Sequence, residues 1–394
     1  MAITSLLTNV PAAQCLFIIV LCAVFTSIVI KKHFKLNGVN KLPVDPSKEP
    51  DAPVSVNYFP SRKCNYTCGF CFHTDTSSYV LPIDEAKRGL LLLKEAGMRK
   101  LNIAGGEPFL YPHLLTELLR YCKEELSVES ISIVSNGSKI GEKWLRENCQ
   151  WLDILAVSCD SFNPETNKRI GRGNDGGNVV RLFRIAEWCR EYGIKFKLNT
   201  VVNAHNWDED MVANIEQLAP FRWKVFQCLI VAGENDDETR KRDARTFLVT
   251  DEQWRTFCNR HKHIPCYVPE DNKSMASSYL LLDEYMCFLD KGEGMMTKSE
   301  SILQVGVKEA MKQVVWDKKS FVERGGIYDW RRSDMQQQSV CSGGGSRKEL
   351  DCLAIEQQQR LQNPMTLYCG VARRRLHTRN GIHNEVRNGK LRYQ

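Results

Sequence analysis

The sequence predicts an α/β fold built on a parallel sheet, and two observations carry that prediction. Six short β-rich runs recur between residues 54 and 250: Ser55–Phe59, Lys100–Ala104, Ser130–Ser135, Asp153–Cys159, Phe196–Val202 and Val225–Val231. Each gap between them holds a stretch whose apolar residues fall at helical spacing. A strand, a helix and a second strand in one sheet are joined by a right-handed crossover, so six such repeats make a sheet whose strands run one way.

Ahead of the first strand, residues 15–30 (CLFIIVLCAVFTSIVI) carry no charge, and Lys31-Lys32-His33-Phe34-Lys35 follows. A secretory signal has its basic residues before the apolar core, not after it. The segment 1–35 therefore reads as membrane-associating, either spanning or lying in the interface, with the chain after Lys31 on the cytosolic side. Residues 36–53, with Pro43, Pro46, Pro50 and Pro53, read as a linker.

The loop after the first strand holds Cys64-Asn-Tyr-Thr-Cys68-Gly-Phe-Cys71, three cysteines at C-x3-C-x2-C. Thiolates are the usual ligands of iron–sulfur clusters, and a 4Fe–4S cube normally takes four. With Cys122 the next cysteine, one iron would stay open to a small molecule. Zinc is the other reading, but its motifs favour paired C-x2-C or Cys/His arrangements, and no second pair is present. The helical stretch Asp84–Ala96 stops at Gly97, a residue suited to the position after a helix. The second strand runs into Gly105-Gly106-Glu107-Pro108, where glycines permit close backbone approach and Glu107 can accept from an ammonium. Leu114, Leu115, Leu118, Leu119 and Cys122 mark the next helix, followed by Lys143–Asn148, Val179–Tyr192 and Asp208–Leu218. Residues 251–330 add a helical Asp251–His261 and an apolar Tyr279–Leu289, read as a C-terminal extension over the mouth of the site.

Cations recur at alternate strand positions. Lys197 and Asn199 share one face of the fifth strand, Arg222 and Lys224 stand two apart before the sixth, and Lys100 and Asn102 open the second. Such convergence suits a polyanion such as a nucleoside triphosphate. Gly171-Arg172-Gly173-Asn174-Asp175-Gly176 spells G-x-G-x-x-G, yet it follows no strand directly and is better read as a loop in which Arg172 matters.

The three-cysteine loop with an aromatic before its last cysteine, followed by Gly-Gly-Glu-Pro, resembles the radical S-adenosylmethionine (SAM) superfamily. Within it, Cys64–His73, Leu81–Gly97, Ser130–Ser138, Ser158–Phe162, Ile170–Gly173, Arg222–Cys228 and Ser278–Met286 resemble the viperin family, over roughly Pro53 to Trp330. The resemblance implies a partial six-stranded (β/α)6 barrel over residues 54–250, with its site at the C-terminal ends of the strands. It implies that Cys64, Cys68 and Cys71 hold a 4Fe–4S cluster, and that Phe70, Gly105, Gly106, Glu107, Ser135 and Ser158 contact SAM. For the last two, a hydroxyl satisfying local backbone is the competing reading. It further implies that Asn57, Lys100, Arg172, Lys197, Asn199, Arg222, Lys224 and Tyr279 line a nucleotide site. The activity implied is conversion of cytidine triphosphate (CTP) to 3′-deoxy-3′,4′-didehydro-CTP, a chain terminator of viral RNA synthesis. Tyr279 and Lys224 are the catalytic candidates, Tyr279 for proton or hydrogen delivery. The implied surroundings are the cytosolic face of the endoplasmic reticulum or a lipid droplet, an electron donor, and cytosolic iron–sulfur assembly proteins. Two features depart from the family: Ala104 stands where it has serine, and its terminal aromatic is replaced by residues 331–394.

Composition bounds the rest. The net charge of +7 lies wholly in residues 331–394, which hold 12 Lys/Arg against 5 Asp/Glu and leave 42 of each in the body. The pI is thus no argument for nucleic-acid binding, and the tail composition favours disorder. The 16 cysteines sit in a long, core-rich chain that needs no disulfide scaffold, so a reducing compartment fits better. A radical enzyme acting on another small molecule or a peptide, and a membrane-tethered scaffold acting through binding partners, are the alternatives. Cys258, Cys266, Cys287, Cys341, Cys352 and Cys369 lack the spacing of auxiliary-cluster ligands.

Overall fold

The computed structural model describes residues 52–173, 177–290 and 297–332. The apolar segment 1–35, residues 36–51 of the linker, and the tail beyond residue 332 lie outside the described residues. Six strands form in the order the sequence predicts: β1 (Ser55–Tyr58), β2 (Lys100–Ile103), β3 (Ser130–Ser135), β4 (Ile154–Ser158), β5 (Lys195–Val202) and β6 (Arg222–Gln227). All neighbours from β1 to β6 pair in parallel. The connections carry α1 (Ile83–Glu95), α2 (Pro112–Arg120), α3 (Glu142–Asn148), α4 (Pro164–Ile170), α5 (Asn178–Glu191) and α6 (Val212–Leu218).

The alternation of the strands sorts their residues onto two faces. Val56, Tyr58, Leu101, Ile103, Ile131, Ile133, Leu198, Trp223 and Val225 point one way into the main apolar core with α1 and α2. Ser55, Asn57, Lys100, Asn102, Lys197, Asn199 and Lys224 point the other way, into an internal cavity. Helix α1 buries Ala86, Leu90 and Leu93 and ends where Gly97 takes φ 104°, so that Met98 N–H reaches Leu93 O at 2.9 Å.

The sixth strand differs from the expected Val225–Val231. It begins at Arg222, in register with Lys197 of β5, so Arg222 and Lys224 lie within the strand. The apolar run beyond Gln227 becomes a loop because the buried Asn235 side chain takes its backbone groups, accepting from Val231 N–H and donating to Leu229 O.

The extension joins the sheet and also lines the cavity, through Tyr279, Arg324 and Tyr328. Helix α7 (Asp251–His261) leads into β7 (Tyr267–Glu270), parallel to β6. Past α8 (Asn272–Ala276), β8 (Leu280–Leu282) pairs in parallel with β1, and β9 (Cys287–Asp290) and β10 (Thr297–Ser301) continue antiparallel. The result is one ten-stranded sheet with β10 and β7 at its edges. After α9 (Ile302–Val305), α10 (Val307–Met311) and α11 (Lys318–Glu323), the chain crosses the N-terminal ends of the strands, opposite the cysteine loop. Tyr328 meets Lys100, Asp329 pairs with Lys195, and Trp330 O accepts from Ser130. Trp330, 3% exposed, packs with Ala52, Val54 and Phe321.

Candidate active site

The cysteine loop leaves β1 and is tied down along its length. Gly106 N–H donates to Ser61 O at 2.9 Å, and Glu107 N–H to Lys63 O at 2.7 Å. This contact explains the glycine pair, since a Cβ on Gly105 would lie 2.6 Å from Ser61 O. Close backbone approach is the reason for these glycines, and what approaches is the loop that carries Cys64. Thr67 N–H and Gly69 N–H donate to Gly171 O and Ile170 O at the C-terminus of α4, where Gly171 takes φ 84°.

Cys64, Cys68 and Cys71 are free thiols on this loop. Burial pushes the Cys68 thiol up to about 12 and raises Cys64 and Cys71 as well. Buried thiols of this kind ionise when they bind a metal centre. A 4Fe–4S cluster takes one thiolate per iron, so the three need not converge on one point. Among the described residues no three His, Cys, Asp or Glu groups converge on a single-ion site. Three thiols on one loop match three corners of a cluster, whereas tetrahedral zinc favours four ligands.

Glu107 is 1% exposed, and its carboxylate accepts from Ser135 Oγ at 2.8 Å, Asn136 N–H at 2.7 Å and Phe109 N–H at 3.0 Å. Burial raises its pKa against these donors. Ser135 Oγ accepts from Gly137 N–H at 3.0 Å, the local-backbone bond, and its bond to Glu107 stitches β3 to the Gly-Gly-Glu-Pro turn. Ser158 instead lines the cavity.

The cavity, about 320 Å³, runs through the barrel, a volume suited to a small-molecule ligand. At the thiol end stand Phe70, Cys71, Asp160 and Arg172. Arg172 is buried and ion-paired with Asp160; burial works against its charge, but Asp160 holds its pKa above the ordinary value. Its guanidinium lies 5.9 Å from the Phe70 ring centre.

At the other end Lys100, Lys197, Lys224 and Arg324 line the wall, with Glu270 the carboxylate among them. Lys224 pairs with Glu270 and donates to Tyr279 Oη, which donates to Glu270 Oε2. Arg324 lies 3.3 Å from Glu270 Oε1 and 3.9 Å from the Tyr279 ring centre. Burial works to raise the Glu270 pKa, but Lys224 and Arg324 hold it below the ordinary carboxylate value. Burial and Glu270 push Tyr279 well up. Lys100 donates to Tyr328 Oη at 2.7 Å, and burial next to Lys197 and Arg222 pushes its pKa well down. Burial brings Lys197 down to about 7. Asn199 Oδ1 is buried without a partner, an acceptor that lacks a donor.

Amide orientation is fixed along a ladder: Ser132 Oγ donates to Asn102 Oδ1, Asn102 Nδ2 to Asn57 Oδ1, and Asn57 Nδ2 to Leu280 O, at 2.6, 2.7 and 3.2 Å. Asn57, Lys100, Arg172, Lys197, Asn199, Lys224 and Tyr279 thus share one cavity, with Ala104 also on its wall. Arg222 stands just behind, over the Tyr328 ring at 4.4 Å and bonded to Gly325 O at 3.0 Å. Sequence reasoning missed Asp160, Glu270, Arg324 and Tyr328. Arg324-Gly-Gly offered one signal: a Cβ on Gly326 would collide with Phe321, so the turn is built for close packing.

A parallel-stranded barrel whose first loop carries three free thiols, Cys68 buried and Cys64 and Cys71 half-buried, defines a radical SAM protein, and residues 58–219 match the model of the radical SAM superfamily. Streptococcus suis SuiB bound to S-adenosylmethionine shares the fold at TM-score 0.51 and 17% identity, covering 69% of this chain and 68% of that one. SAM-bound anSMEcpe does so at 0.51 and 15%, covering 69% and 82%. Closer in sequence is the S-adenosylmethionine-dependent nucleotide dehydratase RSAD2 of Oncorhynchus mykiss, 53% identical over 72% of this chain and 82% of that one. Its Danio rerio counterpart is 54% identical over 72% and 80%. A nucleotide dehydratase of Flammeovirga pacifica is 34% identical over 70% and 96%. The chain belongs to this family, that of RSAD2 or viperin.

Proposed function

We propose that the chain is a radical SAM nucleotide dehydratase that converts CTP to 3′-deoxy-3′,4′-didehydro-CTP. The observation that carries the reading is the charge layout of the cavity: four cations gather around one carboxylate at the end remote from the three thiols. A triphosphate supplies the missing anions there, and its ribose then reaches toward Phe70, Cys71 and Ser158. Cys64, Cys68 and Cys71 would hold the cluster, and the loop's tie to Gly105-Gly106-Glu107 sets where SAM sits. The bound cluster and SAM supply the radical chemistry.

This chain's own residues position, neutralise and exclude water. Asn57 and Asn199 orient the nucleoside, with the unpartnered Asn199 Oδ1 accepting from it. Lys100, Lys197, Arg222, Lys224 and Arg324 meet the phosphates. Tyr279, held neutral between Lys224 and Glu270, is the candidate for delivering a proton or hydrogen.

The apolar stretch 15–30 with its basic flank supports placement on the cytosolic face of the endoplasmic reticulum or on lipid droplets, consistent with an antiviral role there. Among the described residues no helix is long and apolar enough to cross a membrane. An electron donor and iron–sulfur assembly proteins are the partners that the chemistry requires.

The test is a panel of nucleoside triphosphates added to anaerobically reconstituted protein with dithionite and SAM. CTP should stimulate release of 5′-deoxyadenosine most, and the diphosphate poorly. If no triphosphate raises release above background, the nucleotide reading is wrong. For topology, digestion of microsomal protein with a glycosidase should produce no mobility shift. Asn65-Tyr-Thr and Asn136-Gly-Ser are N-glycosylation acceptor sequences, and a shift tracing to either would place the domain in the lumen.

A further inference from the structure

Arg62, two residues before the first cysteine ligand, is 4% exposed yet carries a full charge into the fold. Its guanidinium forks onto Glu234, Nη2 to Oε1 at 3.0 Å and Nη1 to Oε2 at 3.1 Å. Its Nε stands 3.2 Å from Glu284 Oε1, and Nη1 also reaches Thr74 O at 3.3 Å. Four segments meet at this one side chain. They are the start of the cysteine loop, its end at Thr74, the loop after β6 through Glu234, and the β8–β9 turn through Glu284.

The contacts of the loop divide by cysteine. Cys68 lies between Thr67 and Gly69, whose N–H groups are held by Gly171 and Ile170. Cys64 follows Ser61 and Lys63, whose carbonyls accept from Gly106 and Glu107. Cys71 lies between two side-chain donors. It is held on one side by Asn235 Nδ2 donating to Phe70 O at 2.9 Å, and on the other by Thr74 O on Arg62. Glu234 and Asn235 are consecutive, so Arg62 and Asn235 fix the same segment against both halves of the loop.

We propose that Arg62 is a positioning residue for the iron–sulfur centre, clamping the start and end of the loop so that Cys64 and Cys71 stay at the spacing the cluster requires. The planar fork is essential to this, because a lysine ammonium cannot span Glu234, Glu284 and Thr74 O together. The proposal rests on the cluster reading. Residues behind the ligands of a metal centre act in this way, and their loss typically costs about tenfold to hundredfold in metal affinity.

The test is Arg62→Lys in the full chain, with Glu234→Gln alongside. Each is reconstituted anaerobically, and cluster release to an iron chelator is followed by visible absorbance. Melting temperatures are measured with and without cluster, and the reduced cluster is examined by electron paramagnetic resonance with and without SAM. Arg62→Lys should release cluster about ten times faster or more. The rise in melting temperature that cluster loading gives wild type should shrink, and the SAM-dependent spectral change should weaken. Glu234→Gln should move all three in the same direction by less.

A residue that only stabilises the fold would lower both melting temperatures equally and leave release and spectrum at wild-type values; that result overturns the proposal. If Arg62→Lys does not fold, wild-type release in Glu234→Gln overturns it as well. Failure of the wild-type chain itself to take up cluster would instead overturn the cluster reading.

Discussion

The two ends of the cavity are built in opposite ways. The thiol end is made of loops: three thiols within eight residues, a Gly-Gly-Glu-Pro turn bonded to the same loop, and α4 capped against its middle. The cation end is made of strands and of chain far away in sequence. Lys100, Lys197 and Lys224 come from three strands, Glu270 from a fourth, and Arg324 and Tyr328 from the last described turn. Bound chemistry that recurs across a superfamily can travel as a compact local motif. Recognition of one substrate is assembled from alternate strand positions and a closing segment, each of which can change alone.

The comparison predicts that damage at one end leaves the other working. The largest effect belongs to Cys68→Ala, which should abolish both cluster absorbance and all SAM cleavage, because three thiolates leave no spare ligand. Wild-type iron content in that variant would show that the cluster is held elsewhere.

Next is the closing segment. A chain stopped after Arg332 should keep nucleotide-stimulated cleavage, whereas one stopped after Trp316 should lose it and retain only slow uncoupled cleavage. The second chain lacks Arg324, Tyr328 and Trp330, which seal the cation end. Equal stimulation in both would mean that the segment is no part of the substrate site.

Smaller still, Arg222→Ala, Lys224→Ala and Arg324→Ala should each weaken nucleotide-dependent turnover by about tenfold to hundredfold, the worth of one charge-assisted contact. Uncoupled SAM cleavage should be spared. Equal loss of coupled and uncoupled cleavage would erase the distinction between the ends.

The smallest effect is on pH dependence. Burial brings Lys197 to about 7. Its charged form dominates below that pH and is the one that attracts phosphate, so nucleotide affinity should fall as pH rises through 7. A loss of about threefold to tenfold between pH 6.5 and 8 is expected, since one pKa unit corresponds to 1.36 kcal/mol. Lys197→Met should bind more weakly and flatten the profile. An unchanged slope in that variant would assign the dependence to another group, with Lys100 the neighbour to test.

What was legible in the sequence follows the same division. The cysteine loop and the six repeats could be read because each is local: thiol spacing, a glycine after a helix, alternation within a strand. Lys197 and Asn199 could be paired by their spacing of two. Glu270 and Arg324 could not, because their meaning depends on β7 lying beside β6 and on the chain crossing the far end of the barrel. The glycine pair 105–106 could be read as a place of close approach, but not as one where backbone at Ser61 and Lys63 is among the neighbours approached. The sixth strand was misplaced because Val225–Val231 is apolar but for Gln227, and only the side chain of Asn235 shows where pairing stops.

The pairing of β1 with β8 has a consequence for how the protein is made. Asn57 donates to Leu280 across 223 positions of chain, so the first strand is complete on one side only after most of the polypeptide exists. Contacts of such separation are slow to form and keep strand edges exposed while they wait. On the ribosome, the cysteine loop emerges long before Glu284, which Arg62 pairs with, or Arg324, which helps close the barrel. The three thiols are therefore presented to the cell before they are enclosed, and cluster insertion competes with oxidation of the nascent chain. The order of synthesis makes the state of the surrounding thiol pool a determinant of yield.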